Sequence, residues 1–398
     1  MTGPAVTGPF ALGAALAERE QANLLRRRIA TDGASGGRLR VAGRDYLNFS
    51  ANDYLGLADH PAIKTAFNAG IERYGTGSGA SPLVTGYSRA HQELEETLAE
   101  WLGVEAVLLF NCGFAANQAV LKALLGKEHL LWQDKLNHAS LQEMGSQLPC
   151  KMKRFAHNDM AALERQLEPN RGLIVSEGVF SMDGDQAPWG ELAALAARSG
   201  NWLMIDDAHG LGVLGPEGRG TLAAQGVPPA SVHIQMGTFG KALGVAGAFV
   251  GGSRELVEYL VNFARHYVYS THMPAAQACA VSKSIELVRA ADEARSHLGK
   301  LIARFRQGAQ ALGWQLGASD TPIQPLLVGE SSVALQLAER LRECGVWVSA
   351  IRPPTVPVGK ARLRITLSAA HREQDVDRLL DALGVCPAVT RLGEAHYG

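Results

Sequence analysis

The chain has 398 residues, of which 46% are hydrophobic and 19% charged, with a formal net charge of −1 at pH 7. That length sustains about two or three packed lobes, the apolar content excludes a disordered chain, and the balanced charge gives no footprint for a nucleic-acid partner. The five cysteines are scattered and show no CxxC spacing, which excludes a disulfide frame and a zinc site and suits reduced, mostly buried thiols in the cytoplasm.

No basic residues precede the apolar N-terminal stretch, so it does not read as a signal peptide, and no long apolar run predicts a membrane span. The glycosylation sequon "NFS" at Asn48 is idle without secretion.

In chain order, residues 12–29 carry a helical pattern that ends in the triplet Arg26–Arg28. "GRLRVAGRDYLNFS" reads as a hairpin with Gly43 in its turn. A loop and a helix follow; Asp59 is placed to cap the helix and Pro61 to occupy its first turn. The glycine-rich stretch 75–88 leads into an amphipathic helix closed by Gly103. Short apolar runs at 106–110, 172–180, 202–210, 232–240 and 246–252 then alternate with helical segments. They predict an α/β fold whose mostly parallel sheet is covered by helices on both faces. After Met273, helices and strands carrying Arg352 and Arg364 predict a smaller α+β domain. The expected division is a helix and hairpin segment at 1–45, a large domain at 46–275 and a small domain at 276–398.

Ligands of such sheets gather beyond the carboxyl ends of the strands. That places Ser176, Glu177, Asp206 and Lys241 together. In "TFGKALG" (238–244) Lys241 has small neighbours and no carboxylate beside it. Either it snorkels to water, or the small residues leave room for a planar electrophile. "IDDAHG" sets His209 three residues after Asp206, two groups that fall short of a metal site, so no metal is expected. The combination suits pyridoxal phosphate: Asp206 for the pyridine nitrogen, Lys241 for the aldehyde, and His209 for the phenolate oxygen. "NCGFAANQ" opens a helix at Gly113 and Phe114 whose N–H groups would face a phosphate, with Thr238 in reach, and His138 of "LNHAS" would cover the ring.

The motifs "LNFSANDYLGL", "GTGSGAS", "TGYS", "FNCGFAANQ", "NHAS", "EGVFSMDGD", "DDAHGLG", "TFGKALG", "YSTHMP" and "RLRIT" resemble the α-oxoamine synthases, a family of fold-type I pyridoxal-phosphate enzymes. The resemblance covers roughly residues 10 to 385. "LRRR" and "AIRPPTVPVGKARLRIT" are most similar to the members that serve biotin biosynthesis. It implies decarboxylative condensation of L-alanine with pimeloyl-CoA or a pimeloyl acyl carrier protein, in a homodimer with shared sites. By the same resemblance, Lys241, His138, Asp206 and His209 would be catalytic. Gly113, Phe114, Ser181, Thr238, Ser270 and Thr271 would join them in holding the cofactor, the last two reaching into the neighbouring subunit. Arg26, Asn52, His138, Thr355 and Arg364 would contact substrate.

Plainer readings stand beside these. Arg26 could end a solvated helix, Ser270 and Thr271 could cap the next helix, and Glu177 could hold backbone. Arg362 and Arg364 alternate on one strand, which is expected to leave one of them in solvent. Glycine with acetyl-CoA is the rival substrate pair, and a cofactor-binding protein without turnover is the remote alternative.

Overall fold

The computed structural model describes residues 10–33 and 36–386, so most of both terminal stretches, to which the sequence assigns no role, lies outside the described residues. Helix α1 (Leu12–Gln21) buries no side chain. It stops eight residues before the expected end because Asn23 takes a left-handed φ of 56°, and Arg26 lies on the extended chain beyond. Strands β1 (Arg38–Val41) and β2 (Arg44–Asn48) pair as the expected hairpin, with Ala42 and Gly43 both at positive φ in the turn. Asn48 of the sequon is buried. Helix α2 (Pro61–Tyr74) is capped by His60, whose Nδ1 accepts the Ala62 N–H, rather than by Asp59, which instead pairs with Lys64. Helix α3 (Arg89–Leu102) ends at left-handed Gly103.

The main sheet contains β3 (Ala106–Phe110), β4 (Leu130–Asp134), β5 (Lys151–Phe155), β6 (Gly172–Glu177), β7 (Trp202–Asp206), β8 (Ile234–Thr238) and β9 (Ala248–Gly252), in the order β3-β9-β8-β7-β6-β4-β5. Only β9 among them runs antiparallel to its neighbours. The sequence pattern missed β4 and β5. "LLWQD" ends in two polar residues that are fully buried, and "KMKRF" is a mostly polar strand at the sheet edge.

Alternation along the strands decides which face each side chain serves. Leu173, Val175 and Met204 pack into a core with residues of helix α4 (Gly113–Leu124) and helix α5 (Ala139–Gln147). Ile174, Leu203 and Ile205 pack on the other face with Trp189 and Leu192. The same count carries Glu177 and Asp206 onto the α4 and α5 side, each at the last position of its strand.

After the long helix Ala275–Arg289, which packs against α2 and α3, a three-stranded sheet forms from β10 (Ile323–Gly329), β12 (Ser349–Ile351) and β13 (Ala361–Thr366). Strand β11 (Val346–Trp347) leaves it to pair in parallel with β2. The segment after β13 grips the loop after β2. Thr366 N–H donates to the Phe49 carbonyl (2.8 Å), the Ser368 hydroxyl to Asp53 (2.6 Å) and Ala369 N–H to Tyr54 (2.8 Å). Arg362 and Arg364 are both buried, correcting the expectation that one faces solvent: residues two apart on a strand share a face. Of the cysteines, Cys150 and Cys386 are buried and Cys112 and Cys344 exposed, so "mostly buried" held only in part.

Candidate active site

A cleft of about 170 Å³ opens above the carboxyl ends of β6, β7 and β8, lined by Gly113, Phe114, Asn117, His138, Glu177, Asp206, Ala208, His209, Met236, Thr238 and Lys241. Eight of the residues singled out in the sequence therefore meet in one place: Gly113, Phe114, His138, Glu177, Asp206, His209, Thr238 and Lys241, while Ser176 is not among the lining residues.

Asp206 rather than Asp207 faces the cleft. It accepts the Asn117 amide (Nδ2 to Oδ2, 2.7 Å) and the Ala208 N–H (3.1 Å). Asp207 turns to Thr221, taking its hydroxyl (2.6 Å) and its N–H (2.7 Å), and burial pushes its carboxyl up to about 7 despite these donors. Three glycines make room for it. A Cβ on Gly178, Gly210 or Gly220 would lie within 2.2 Å of an Asp207 carboxylate oxygen.

Lys241 follows β8, where loss of water lowers its ammonium to about 8, against the pull of Asp206 and Glu177. Its small neighbours are not all there for a ligand. Gly244 takes φ 67°, and a Cβ there would meet the Ala58 nitrogen at 2.5 Å, so this glycine serves close backbone packing. The "room for a ring" reading of the motif is corrected at that position.

His138 is the N-cap of α5. Its Nδ1 accepts the Ser140 N–H (3.2 Å) and lies 2.8 Å from the Ser140 hydroxyl, which in turn receives the Asn117 amide (2.9 Å). A chain of contacts thus runs His138–Ser140–Asn117–Asp206 and assigns the ring proton of His138 to Nε2. Burial lowers the His138 imidazolium, with Asp206 opposing. His209 is buried, and its imidazolium is pushed well below the usual range by burial and then by the positive charges of Lys241 and Arg364, so the ring is neutral. Its Nδ1 lies 2.6 Å from the Tyr54 hydroxyl.

The other predicted residues lie apart from the cleft lining. Arg364 donates to the Ser181 carbonyl (Nε, 2.6 Å), Asn52 Oδ1 (3.1 Å) and the Thr366 hydroxyl (3.0 Å), which puts Ser181, Asn52 and Arg364 in one cluster. Arg26 donates to the Thr355 hydroxyl at 2.8 Å on the surface. Ser270 and Thr271 line a separate small depression with Pro82, Asn111 and His272.

Sequence reading missed Tyr54, Asn117 and Ser140. Asn117 had a usable signal: it lies four residues after Gly113, on the same face of a helix whose N-terminus was already assigned to the site.

The donor set fits pyridoxal phosphate. A buried carboxylate with two N–H partners suits a pyridine nitrogen, a lysine titrating near neutrality suits the aldehyde, and the N-terminus of α4 beside Thr238 suits the phosphate. A larger hollow of about 590 Å³ adjoins the same loop at Gly244–Ala246 but carries only Lys64 as a titratable group, too little for this chemistry.

The sequence profile of the aminotransferase class I and II family matches residues 44–383. The chain is 89% identical over 396 residues to 8-amino-7-oxononanoate synthase of Aeromonas hydrophila, with all of both chains covered. It is 52% identical to the protein of that name from Cronobacter sakazakii, covering 94% of this chain and 97% of the other. Among solved structures, serine palmitoyltransferase of S. paucimobilis with bound PLP and myriocin superposes with a TM-score of 0.88. It is 26% identical and covers 94% of this chain and 96% of that one.

Proposed function

The chain belongs to the aminotransferase class I and II family, and from its site we propose that it is a pyridoxal-phosphate enzyme joining L-alanine to a pimeloyl thioester. The products are 8-amino-7-oxononanoate, carbon dioxide and the released thiol carrier, coenzyme A or acyl carrier protein, as a step of biotin biosynthesis. The observation that carries the reading is the convergence of Lys241, Asp206, His138 and His209 on one cleft, in a chain 89% identical to a curated 8-amino-7-oxononanoate synthase.

Bound pyridoxal phosphate supplies an electron sink for the alanine carbon that loses first its proton and then its carboxylate. The protein supplies the rest. Lys241 would hold the cofactor aldehyde, and its free amine would be the base that takes the alanine α-proton; its lowered affinity for protons suits that task near neutral pH. Asp206 would hold a proton on the ring nitrogen. His138 would cover the ring, and neutral His209 would offer it a hydrogen bond without adding a charge. Gly113, Phe114 and Thr238 would hold the phosphate. Arg364, fixed by Ser181 and Asn52, meets a substrate carboxylate. Arg26 and Thr355, already bonded to each other, form the acyl side of the site.

A homodimer belongs to the same proposal. Leu83, Val84 and Tyr269 are more than half exposed around the depression that holds Ser270 and Thr271, a surface suited to a second copy. The division into segments 1–45, 46–275 and 276–398 is retained as a proposal, as is a cytoplasmic location. Among the described residues, no helix is long and apolar enough to cross a membrane.

The test is release of the free thiol carrier, together with carbon dioxide, by the purified, cofactor-loaded protein with L-alanine and pimeloyl-CoA or the pimeloyl carrier protein, and release of the thiol alone with glycine and acetyl-CoA. Turnover with the alanine pair supports the reading. Turnover confined to glycine and acetyl-CoA would move the substrate assignment within the family.

A further inference from the structure

Glu177 and Asp206 are direct partners in the register of β6 and β7, both at the carboxyl ends of their strands, and both line the cleft with Lys241. Strand partners on one face stand side by side, so two acids share the bottom of one water-poor site. They are unequally supplied with donors. Asp206 has the Asn117 amide and the Ala208 N–H. Glu177 receives the backbone N–H of His138, while its Oε1 has no hydrogen-bond partner although the side chain is only 2% exposed.

Two carboxylates at one site do not both ionise without a large cost, and the member with fewer donors keeps the proton. The groups facing Glu177 are Asp206 on β7, Asp134 at the end of β4, Lys241 after β8 and the His138 backbone before α5. Three acids thus meet one nearby amine.

We propose that Glu177 is a positioning residue that works as a neutral carboxylic acid, pinning the His138 loop through its backbone N–H and leaving Asp206 as the single charge of the pair. The proposal rests on the cofactor reading above and adds to it. Burial, followed by the proximity of Asp206, pushes the Glu177 carboxyl well above the usual range, which agrees with the geometry. The consequence reaches Lys241. A second negative charge beside it would favour its ammonium, so a neutral Glu177 keeps the amine available.

The test compares wild type, Glu177→Gln and Glu177→Ala by infrared difference spectroscopy and by cofactor titration, near pH 8. The infrared spectra are taken with and without added pyridoxal phosphate. The expected result is the carbonyl stretch of a protonated carboxylic acid, shifted in heavy water, present in wild type and missing from Glu177→Gln. Only carboxylate bands changing between the two would overturn the proposal. In the titration, Glu177→Gln keeps its cofactor dissociation constant within about threefold of wild type, because the amide is neutral and still accepts the His138 N–H. Glu177→Ala loses that acceptor and weakens binding by about tenfold. Equal weakening in both variants would show that the charge is needed and sink the idea. If Glu177→Ala does not fold, the Gln variant and the infrared band decide alone. If wild type develops no visible band with pyridoxal phosphate, the cofactor reading fails, whereas the carboxylic-acid band in the cofactor-free protein still reports on Glu177.

Discussion

The Tyr54 hydroxyl lies 2.6 Å from Nδ1 of His209 and 3.3 Å from Asn52 Oδ1, the histidine contact being much the shorter. Tyr54 is fully buried, and burial, opposed by Arg364, raises its phenol and keeps it a donor. A Tyr54 proton donated to Nδ1 of His209 would leave Nε2 to carry the ring proton. Tyr54→Phe frees the ring to take the other tautomer. The turnover number is expected to fall about tenfold or more, with a shift in the visible absorption of the loaded protein; an unchanged rate and spectrum would detach Tyr54 from the site.

Lys241→Ala removes both the amine that holds the aldehyde and the base. It should still bind pyridoxal phosphate through the phosphate site, lose the absorption of the lysine-bound form, and turn over slower by about three orders of magnitude or more. Product formation at a near-normal rate would refute the assignment.

The clearest pH dependence of stability lies outside the cleft. His157 bridges Asp134 (Nδ1, 3.0 Å) and Asp185 (Nε2, 2.7 Å), tying the end of β4 to the loop that carries Ser181. Burial works against its charge, yet the two carboxylates raise it to about 10. A cation held above its unfolded value contributes full stability below about pH 6.5, and that contribution is lost as pH rises through about 10. His157→Gln should therefore be less stable than wild type by about 1–3 kcal/mol near pH 6, with the gap closing toward pH 10. Denaturant midpoints measured across that range decide; a gap that ignores pH would mean a neutral ring.

Gly178 sits directly after Glu177, and a Cβ there would lie 2.0 Å from Asp207 Oδ1 and 2.6 Å from the Thr221 hydroxyl. Gly178→Ala must push Asp207 off Thr221 and is expected to cost about 3 kcal/mol. Gly190, in the helix Trp189–Ser199, has nothing within 4 Å of where a Cβ would sit. Gly190→Ala should be stabilising by about 0.5–1 kcal/mol. Urea midpoints that fail to separate the two variants would contradict the packing described around Asp207.

What could be read from the residues was mainly what neighbours in sequence decide. Apolar runs marked β3 and β6 to β9, and polar residues at their ends marked the cleft, because a parallel sheet exposes its carboxyl ends to ligand. Tyr54 was invisible, since its partner His209 lies 155 positions away and a lone tyrosine in a loop carries no periodic signal. Asp206 was already singled out in the sequence by its place at a strand end; that Asp207 turns away to Thr221 needed the fold. Local competition misled the reading elsewhere, as when His60 capped α2 in place of Asp59 one residue before it. For Arg362 and Arg364 the two-residue spacing was in view and was misjudged; it predicts a shared face, and Arg362 accordingly pairs with Asp183 while Arg364 holds Ser181.

The grip of residues 366–369 on the 49–54 loop bears on how the protein is born. A nascent chain that has just emerged past Lys241 already has the strands of the main sheet up to β8, with β9 close behind. It still lacks Arg364 and the donors that reach Phe49, Asp53 and Tyr54. Such distant pairings close late, since their loop entropy must be met before their contacts form. On the ribosome, then, the lysine comes well before the clasp, and the enzyme is made competent only by a segment synthesised long after it.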